Sequence, residues 1–156
     1  MTLPAENVQS YPRPPTLEPV THEIRVELGD APVAQSSAAL RVLETHHAPT
    51  YYIPPEDVVA DLSAAPGGSF CEWKGHAAYW TVHAGGISAQ AAAWSYARPT
   101  PRFAALAGYL AFYPGLMGAC WVGGVRVTPQ PGDFYGGWVT PNLQGIVKGD
   151  AATRHW

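Results

Sequence analysis

Charge is what this chain has least of. Charged residues make up 13% of its 156 residues, against roughly 25% in an average soluble domain. Lysine is nearly missing, with Lys74 and Lys148 standing alone. A larger core does not explain the shortage, because the hydrophobic fraction of 47% is ordinary. A surface so poor in charge points to partial cover by another subunit, a homodimer being the assembly considered. The net charge of −3 leaves no basic footprint, so no nucleic-acid partner is expected. Apolar runs stop short of the roughly 18 to 20 residues a membrane span needs, and the N-terminus lacks the basic start and apolar core of a secretory signal. No membrane partner and a cytoplasmic location are therefore expected. Cysteine is scarce too. Cys71 and Cys120 form no CxxC pair, which argues against structural zinc, and they read as buried thiols; a disulfide between them would suit an oxidising compartment. No glycine-rich phosphate loop, metal-ligand spacing or Ser-His-Asp order is present, and the expectation is no cofactor and no metal.

Glycine and proline, by contrast, are abundant, at 16 each, and they are dispersed. That pattern calls for many short elements and tight turns, hence a mainly β chain. Residues 1–21 carry five prolines and read as an extended arm, disordered or laid across a neighbouring subunit. Residues 22–156 read as one domain. His22 to Leu28 alternates as a half-buried strand, Gly29-Asp30 turns it, and Ala31 to Ser36 returns. Ala39 to Thr45 alternates again, which puts Glu44 on the face of Leu40 and Val42, at a rim or in a pocket. His46 and His47 follow; adjacent histidines point apart in an extended chain, so they make no metal pair and are expected as solvated loop side chains. Pro54-Pro55-Glu56-Asp57 resembles a helix start with Val58, Val59 and Leu62 as its buried stripe, ended by Gly67-Gly68. A second short helix is expected after Thr100-Pro101, with Phe103, Leu106, Ala107 and Leu110 facing inward. The glycine- and proline-rich tail from Thr128 is expected to wrap the surface, with Phe134, Tyr135 and Trp138 as anchors.

The densest chemistry lies in Phe70 to His83, FCEWKGHAAYWTVH. Strand alternation puts Cys71 and Trp73 opposite Glu72 and Lys74, and Tyr79 and His83 opposite Trp80 and Val82. On that parity the polar and the aromatic set do not share one site. Lys74 is a candidate base or nucleophile, or else a structural partner of Glu72 or Glu44. His83 suits acid–base work near neutrality, and His76, after Gly75, suits a pocket mouth.

Four segments, VLETHHAPTYYIPPEDV, CEWKGHAAYW, AAWSYARPTPRFAALAGYLAFYPG and PQPGDFYGGWVTP, give the chain from about His22 to Trp156 its resemblance to the bacterial and fungal family catalogued as domain of unknown function 427. The resemblance implies a compact, strongly bent antiparallel arrangement of the β-tent kind, with one or two short helices. Related tents include zinc-bearing proteins, but this family and this chain lack the metal cysteines. The family has no agreed activity. Glu72 stands where the family usually has proline, and Gly123-Gly124-Val125 where it commonly has Asp-Gly-Glu; each change points to a specialised ligand or to simple drift of the region.

The expected function is cofactor-independent acid–base catalysis, an isomerisation, cyclisation or elimination, on a small organic substrate in an aromatic-lined pocket. Lys74, Glu72, His83 and Glu44 are the candidate catalytic residues. Trp73, His76, Tyr79, Trp94, Tyr96, Tyr113 and Tyr52 are the candidate ligand-binding residues. The alternatives are a non-catalytic module that binds a small molecule or peptide in the same aromatic cage, and an oligomeric scaffold.

Overall fold

The computed structural model describes residues 3–71, 73–131 and 135–149. Glu72, a candidate catalytic residue, and the expected anchor Phe134 lie outside them. The chain is mainly β, built from several small antiparallel sheets, none closed into a barrel. Two strands, β1 (Glu6–Asn7) and β2 (Thr16–Pro19), come from the expected arm. The alternating segment and its return form the hairpin of β3 (Ile24–Leu28) and β4 (Ala31–Ser36). Then come β5 (Leu40–Leu43) and β6 (Thr50–Tyr52). Three long strands follow, β7 (Asp61–Cys71), β8 (Gly75–Ala84) and β9 (Ile87–Ser95). The remainder are short: β10 (Leu110–Phe112), β11 (Ala119–Val122), β12 (Val125–Arg126), β13 (Thr128–Pro129), β14 (Trp138–Val139) and β15 (Leu143–Gln144).

Two four-stranded sheets dominate, ordered β10-β9-β8-β7 and β12-β11-β3-β4, with β2-β5-β6 beside them. Register shifts interrupt β3–β4 after Val26, β7–β8 between Ala64 and Gly68, and β8–β9 between Trp80 and Val82. Such bulges bend strands and deepen twist, which suits the bent, tent-like arrangement. The larger core joins Ile24, Val26, Val33, Ile53, Val82, Phe112 and Trp138. Trp138 is fully buried and donates its indole N–H to the Phe112 carbonyl at 3.1 Å, so the tail does pin an aromatic inside. A second core of Val42, Tyr52, Trp94, Tyr96, Phe103 and Leu106 lies on the side where Trp73, Tyr79 and Tyr113 pack.

The N-terminal segment is part of the fold. β2 pairs with β5, β1 pairs in parallel with β15, and Val8 is fully buried. Arg41 fastens it, reaching Glu18 at 2.6 Å and Glu6 at 3.2 Å.

The helix expected from Pro54 is a single 3-10 turn, Pro55–Asp57. The start signal is real: proline opens the turn and both acids lie in it. The strand that follows wins the remainder. Val58 bridges to Ala34, the Val59 and Ala60 amides reach the Val33 carbonyl, and Leu62 pairs with Val82 across β7–β8. Val59, expected inside, is 66% exposed. Gly67 and Gly68 sit within β7 at its bulge. The second expected helix is also 3-10, Pro101–Leu106, kinked at Phe103. Phe103 and Leu106 are buried as expected, while Leu110 belongs to β10.

Candidate functional site

A cavity of about 270 Å³ opens beside the second core. Val42 and Glu44 line it together from the end of β5, as their alternation requires, with His47 and Ala48 from the loop beyond and Tyr52 from β6. Ser69, Phe70, Cys71, Trp73 and Lys74 line it from the β7–β8 hairpin, Tyr79 from β8 and Trp94 from β9. Tyr96, Tyr113, Gln130, Tyr135 to Gly137 and Lys148 complete the wall.

Of the candidate residues, Lys74, Glu44, Trp73, Tyr79, Trp94, Tyr96, Tyr113 and Tyr52 are brought together here. His83 and His76 are not. His83 lies beyond the β8–β9 bulge on the exposed face, its two ring nitrogens 2.7 Å from Ser63 Oγ and 2.8 Å from Ser88 Oγ. His76 is exposed and packs its ring on Phe70 at 4.9 Å.

The parity expectation for residues 71–74 fails. β7 ends at Cys71, and Trp73 and Lys74 form the turn into β8, so strand alternation no longer separates them. Cys71, Trp73 and Lys74 all face one cavity. Gly75 starts β8 with φ of +105°, a conformation that favours glycine. The turn is tied to the following loop by Thr100, whose N–H reaches the Lys74 carbonyl at 3.1 Å and whose hydroxyl reaches the Trp73 carbonyl at 2.5 Å. Cys71 and Cys120 are both free thiols. Cys120 is buried, which pushes its thiol up to about 12, whereas Cys71 is half-buried at the cavity wall.

The aromatic wall is continuous. The Trp94 and Tyr113 rings are 4.6 Å apart and tilted by 45°; Tyr52 meets Trp94 edge-on at 6.3 Å and Tyr96 at 6.3 Å. Burial raises the hydroxyl pKa values of Tyr52, Tyr96 and Tyr113, with Tyr79 adding to the effect on Tyr113. All three stay neutral hydrogen-bond donors at physiological pH.

His47 is the group that sequence reasoning missed. Its side chain is 15% exposed, not solvated. Burial, then the nearby positive charges of Lys148, Lys74 and Arg13, lower its pKa to about 4. Its Nε2 lies 3.9 Å from Glu44 Oε2; with a neutral imidazole this is a polar contact rather than an ion pair. Gln130, 2% exposed, fixes its tautomer. Gln130 Oε1 accepts from the Ala48 amide at 3.1 Å, which makes the other end of the amide the donor. Gln130 Nε2 donates to the Lys148 carbonyl at 2.9 Å and lies 3.2 Å from His47 Nδ1. Nδ1 is therefore the acceptor, and Nε2 carries the hydrogen on the Glu44 side.

Two glycines let this network close. A Cβ on Gly137 would sit 2.1 Å from Gln130 Oε1, and one on Gly136 would sit 2.1 Å from the Trp94 ring. Beside them Tyr135 packs edge-on against His47 at 4.9 Å, and Lys148 Nζ lies 5.4 Å from the Tyr135 ring centre.

Lys74 is 9% exposed, and its Nζ lies 5.9 Å from the centre of the Phe103 ring. Among the described residues no carboxylate is within ion-pair reach of it, so the expected partnership with Glu44 is absent. Glu44 instead has Arg13 at 4.0 Å. Among the described residues no cluster of histidine, cysteine and carboxylate groups could hold a metal, and no helix is long and apolar enough to cross a membrane.

No curated protein matches the chain. A family model matches residues 16–123, more than half the chain. The match takes in Glu44, His47, Lys74, Trp94 and Tyr113, while Gln130, Tyr135 and Lys148 lie beyond it. The chain thus belongs to the family described as Domain of unknown function (DUF427).

Proposed function

We propose that the cavity is an active site for cofactor-independent proton transfer on a small, flat organic substrate. The observation that carries this reading is the placing of a carboxylate, Glu44, and a buried amine, Lys74, with no carboxylate partner among the described residues, on the wall of one aromatic cavity. Glu44 takes a proton from a carbon next to a carbonyl group. The electron pair left behind moves onto the carbonyl oxygen, and Lys74 stabilises the enolate so formed. His47, neutral with its hydrogen on Nε2, and the neutral tyrosine hydroxyls orient the substrate. Return of the proton to the same or a neighbouring carbon completes an isomerisation; departure of a leaving group from the next carbon completes an elimination.

Native mass spectrometry of the protein purified without denaturation would reveal a captured molecule. Incubation in deuterated water then distinguishes catalysis from binding. A catalytic site exchanges carbon-bound hydrogen of the captured molecule for deuterium, and Glu44→Gln abolishes exchange while the molecule stays bound. Capture with no exchange in the unaltered protein would sink the catalytic reading in favour of a binding module.

A further inference from the structure

We infer that the ligand of this cavity is a flat organic carboxylate, its charged end held by Lys74 and Lys148 with the Nε2–H of His47 as a third donor, and its plane against Trp94 and Tyr113. This rests on the cavity being the ligand site, and adds the class of ligand.

The first ground is where the lysines are. The chain has two, and both line this cavity, although they lie 74 positions apart in the sequence. Elsewhere its positive charge is carried by arginine. Solubility does not account for such an arrangement.

The second ground is charge balance. Among the described lining residues the ionised groups are Lys74, Lys148 and Glu44, two positive against one negative, in a chain whose net charge is −3. Glu44 is drawn toward Arg13 and His47 rather than toward either lysine. A buried ammonium without a counter-charge costs several kcal/mol. Every buried side-chain nitrogen and oxygen of the described residues has a hydrogen-bond partner. Among the described residues no such bond is made by Lys74 Nζ, which lines the cavity, where an anion would supply the missing charge. Burial and then the same positive charges keep His47 unprotonated, and donation from Gln130 Nε2 to Nδ1 leaves the ring hydrogen on Nε2.

The third ground is the form of the donors. Besides the tyrosine hydroxyls, the described lining offers two point-like ammonium groups and one imidazole N–H. It contains no helix N-terminus, a ready-made phosphate site. Ring faces on the opposite wall favour a π system over an alkyl chain.

Titration calorimetry of the full chain with benzoate, benzamide and phenyl phosphate tests the assignment. Benzoate is expected to bind at least tenfold more tightly than benzamide, its neutral isostere, and than phenyl phosphate. Lys148→Met and Lys74→Met should each weaken benzoate tenfold or more, and Lys148→Arg should retain most of the affinity. Thermal melts show that the variants are folded. Equal affinity for benzamide, absence of benzoate binding at millimolar concentration, or benzoate affinity unaffected in both methionine variants would overturn the proposal. Tighter binding of phenyl phosphate would replace carboxylate by phosphate. Glu44→Gln removes a like charge and should bind benzoate as well or better, so loss of deuterium exchange in that variant reports on proton transfer alone.

Discussion

Replacing Gln130 by leucine keeps the approximate volume of the side chain and removes its amide. Three groups then lose a partner: the Ala48 N–H, the Lys148 carbonyl and His47 Nδ1. An orphaned buried polar group costs about 1–3 kcal/mol. Ala48 is 1% exposed, so its amide has no route to water and takes the full cost. Lys148 is half-buried and its carbonyl can be hydrated, and the imidazole of His47 can turn, so these two fall near the low end. The sum is about 3–5 kcal/mol, which for a chain of this size corresponds to a melting temperature lower by about 6–20 °C. Urea denaturation followed by far-ultraviolet circular dichroism at pH 8, where His47 is neutral in the folded and the unfolded chain, measures the loss directly. Nitrogen-15 spectra of the His47 ring supply a second readout. The unaltered protein should show hydrogen on Nε2 alone, and Gln130→Leu should show a mixture of tautomers. A loss below about 0.5 kcal/mol with the tautomer unchanged would refute the argument that Gln130 holds this wall together.

The low pKa of His47 makes stability depend on pH. The folded group titrates at about 4 and the unfolded one near 6.5, so the unfolded chain binds the extra proton between those values; stability is complete above about pH 6.5 and falls by roughly 3 kcal/mol as pH drops toward 4. In His47→Gln, denaturation midpoints across this window should flatten, with Glu44, Lys74, Lys148, Arg13 and His46 left as the surrounding charges. Gly136→Ala drives a methyl group into the Trp94 ring and should cost about 1–3 kcal/mol, with a shift in tryptophan fluorescence; an unchanged melt and spectrum would contradict the close approach. Iodoacetamide should label Cys71 far faster than Cys120, as read by peptide mapping, and labelling should abolish benzoate binding. His83→Ala removes only exposed hydrogen bonds to Ser63 and Ser88 and should shift stability by less than about 1 kcal/mol without changing benzoate affinity.

Local pattern carried the strands. Alternation from Ile24 to Leu28, the turn at Gly29-Asp30, and the parity of Val42 with Glu44 all appear in the fold because each depends on neighbours a few residues away. The helix at Pro55 failed because its outcome is set by Val33 and Ala34, strand residues distant in sequence that claim the backbone of Val58 to Ala60. The same physics hid half of the candidate site. His47 reads as a loop residue, and Gln130 is separated from it by 83 positions; no periodicity links them. Lys148 lies in a tail with almost no pattern. Its shared signal with Lys74 was rarity, since both lysines of the chain serve one cavity.

The pairing of β1 with β15 leads us to expect that the cavity is completed late in folding. Glu6 meets Leu143, a contact that closes a loop almost as long as the chain, and such closures are slow because the loop entropy must be overcome before the contact contributes. Lys148 follows directly, its amide on the His46 carbonyl at 2.6 Å. During synthesis the wall bearing Glu44, His47 and Lys74 emerges well before the segment that carries Gln130 and Lys148. A nascent chain thus holds half a site, and a ligand that needs both halves binds only the finished molecule, stabilising the docked C-terminal strap in proportion to its own saturation.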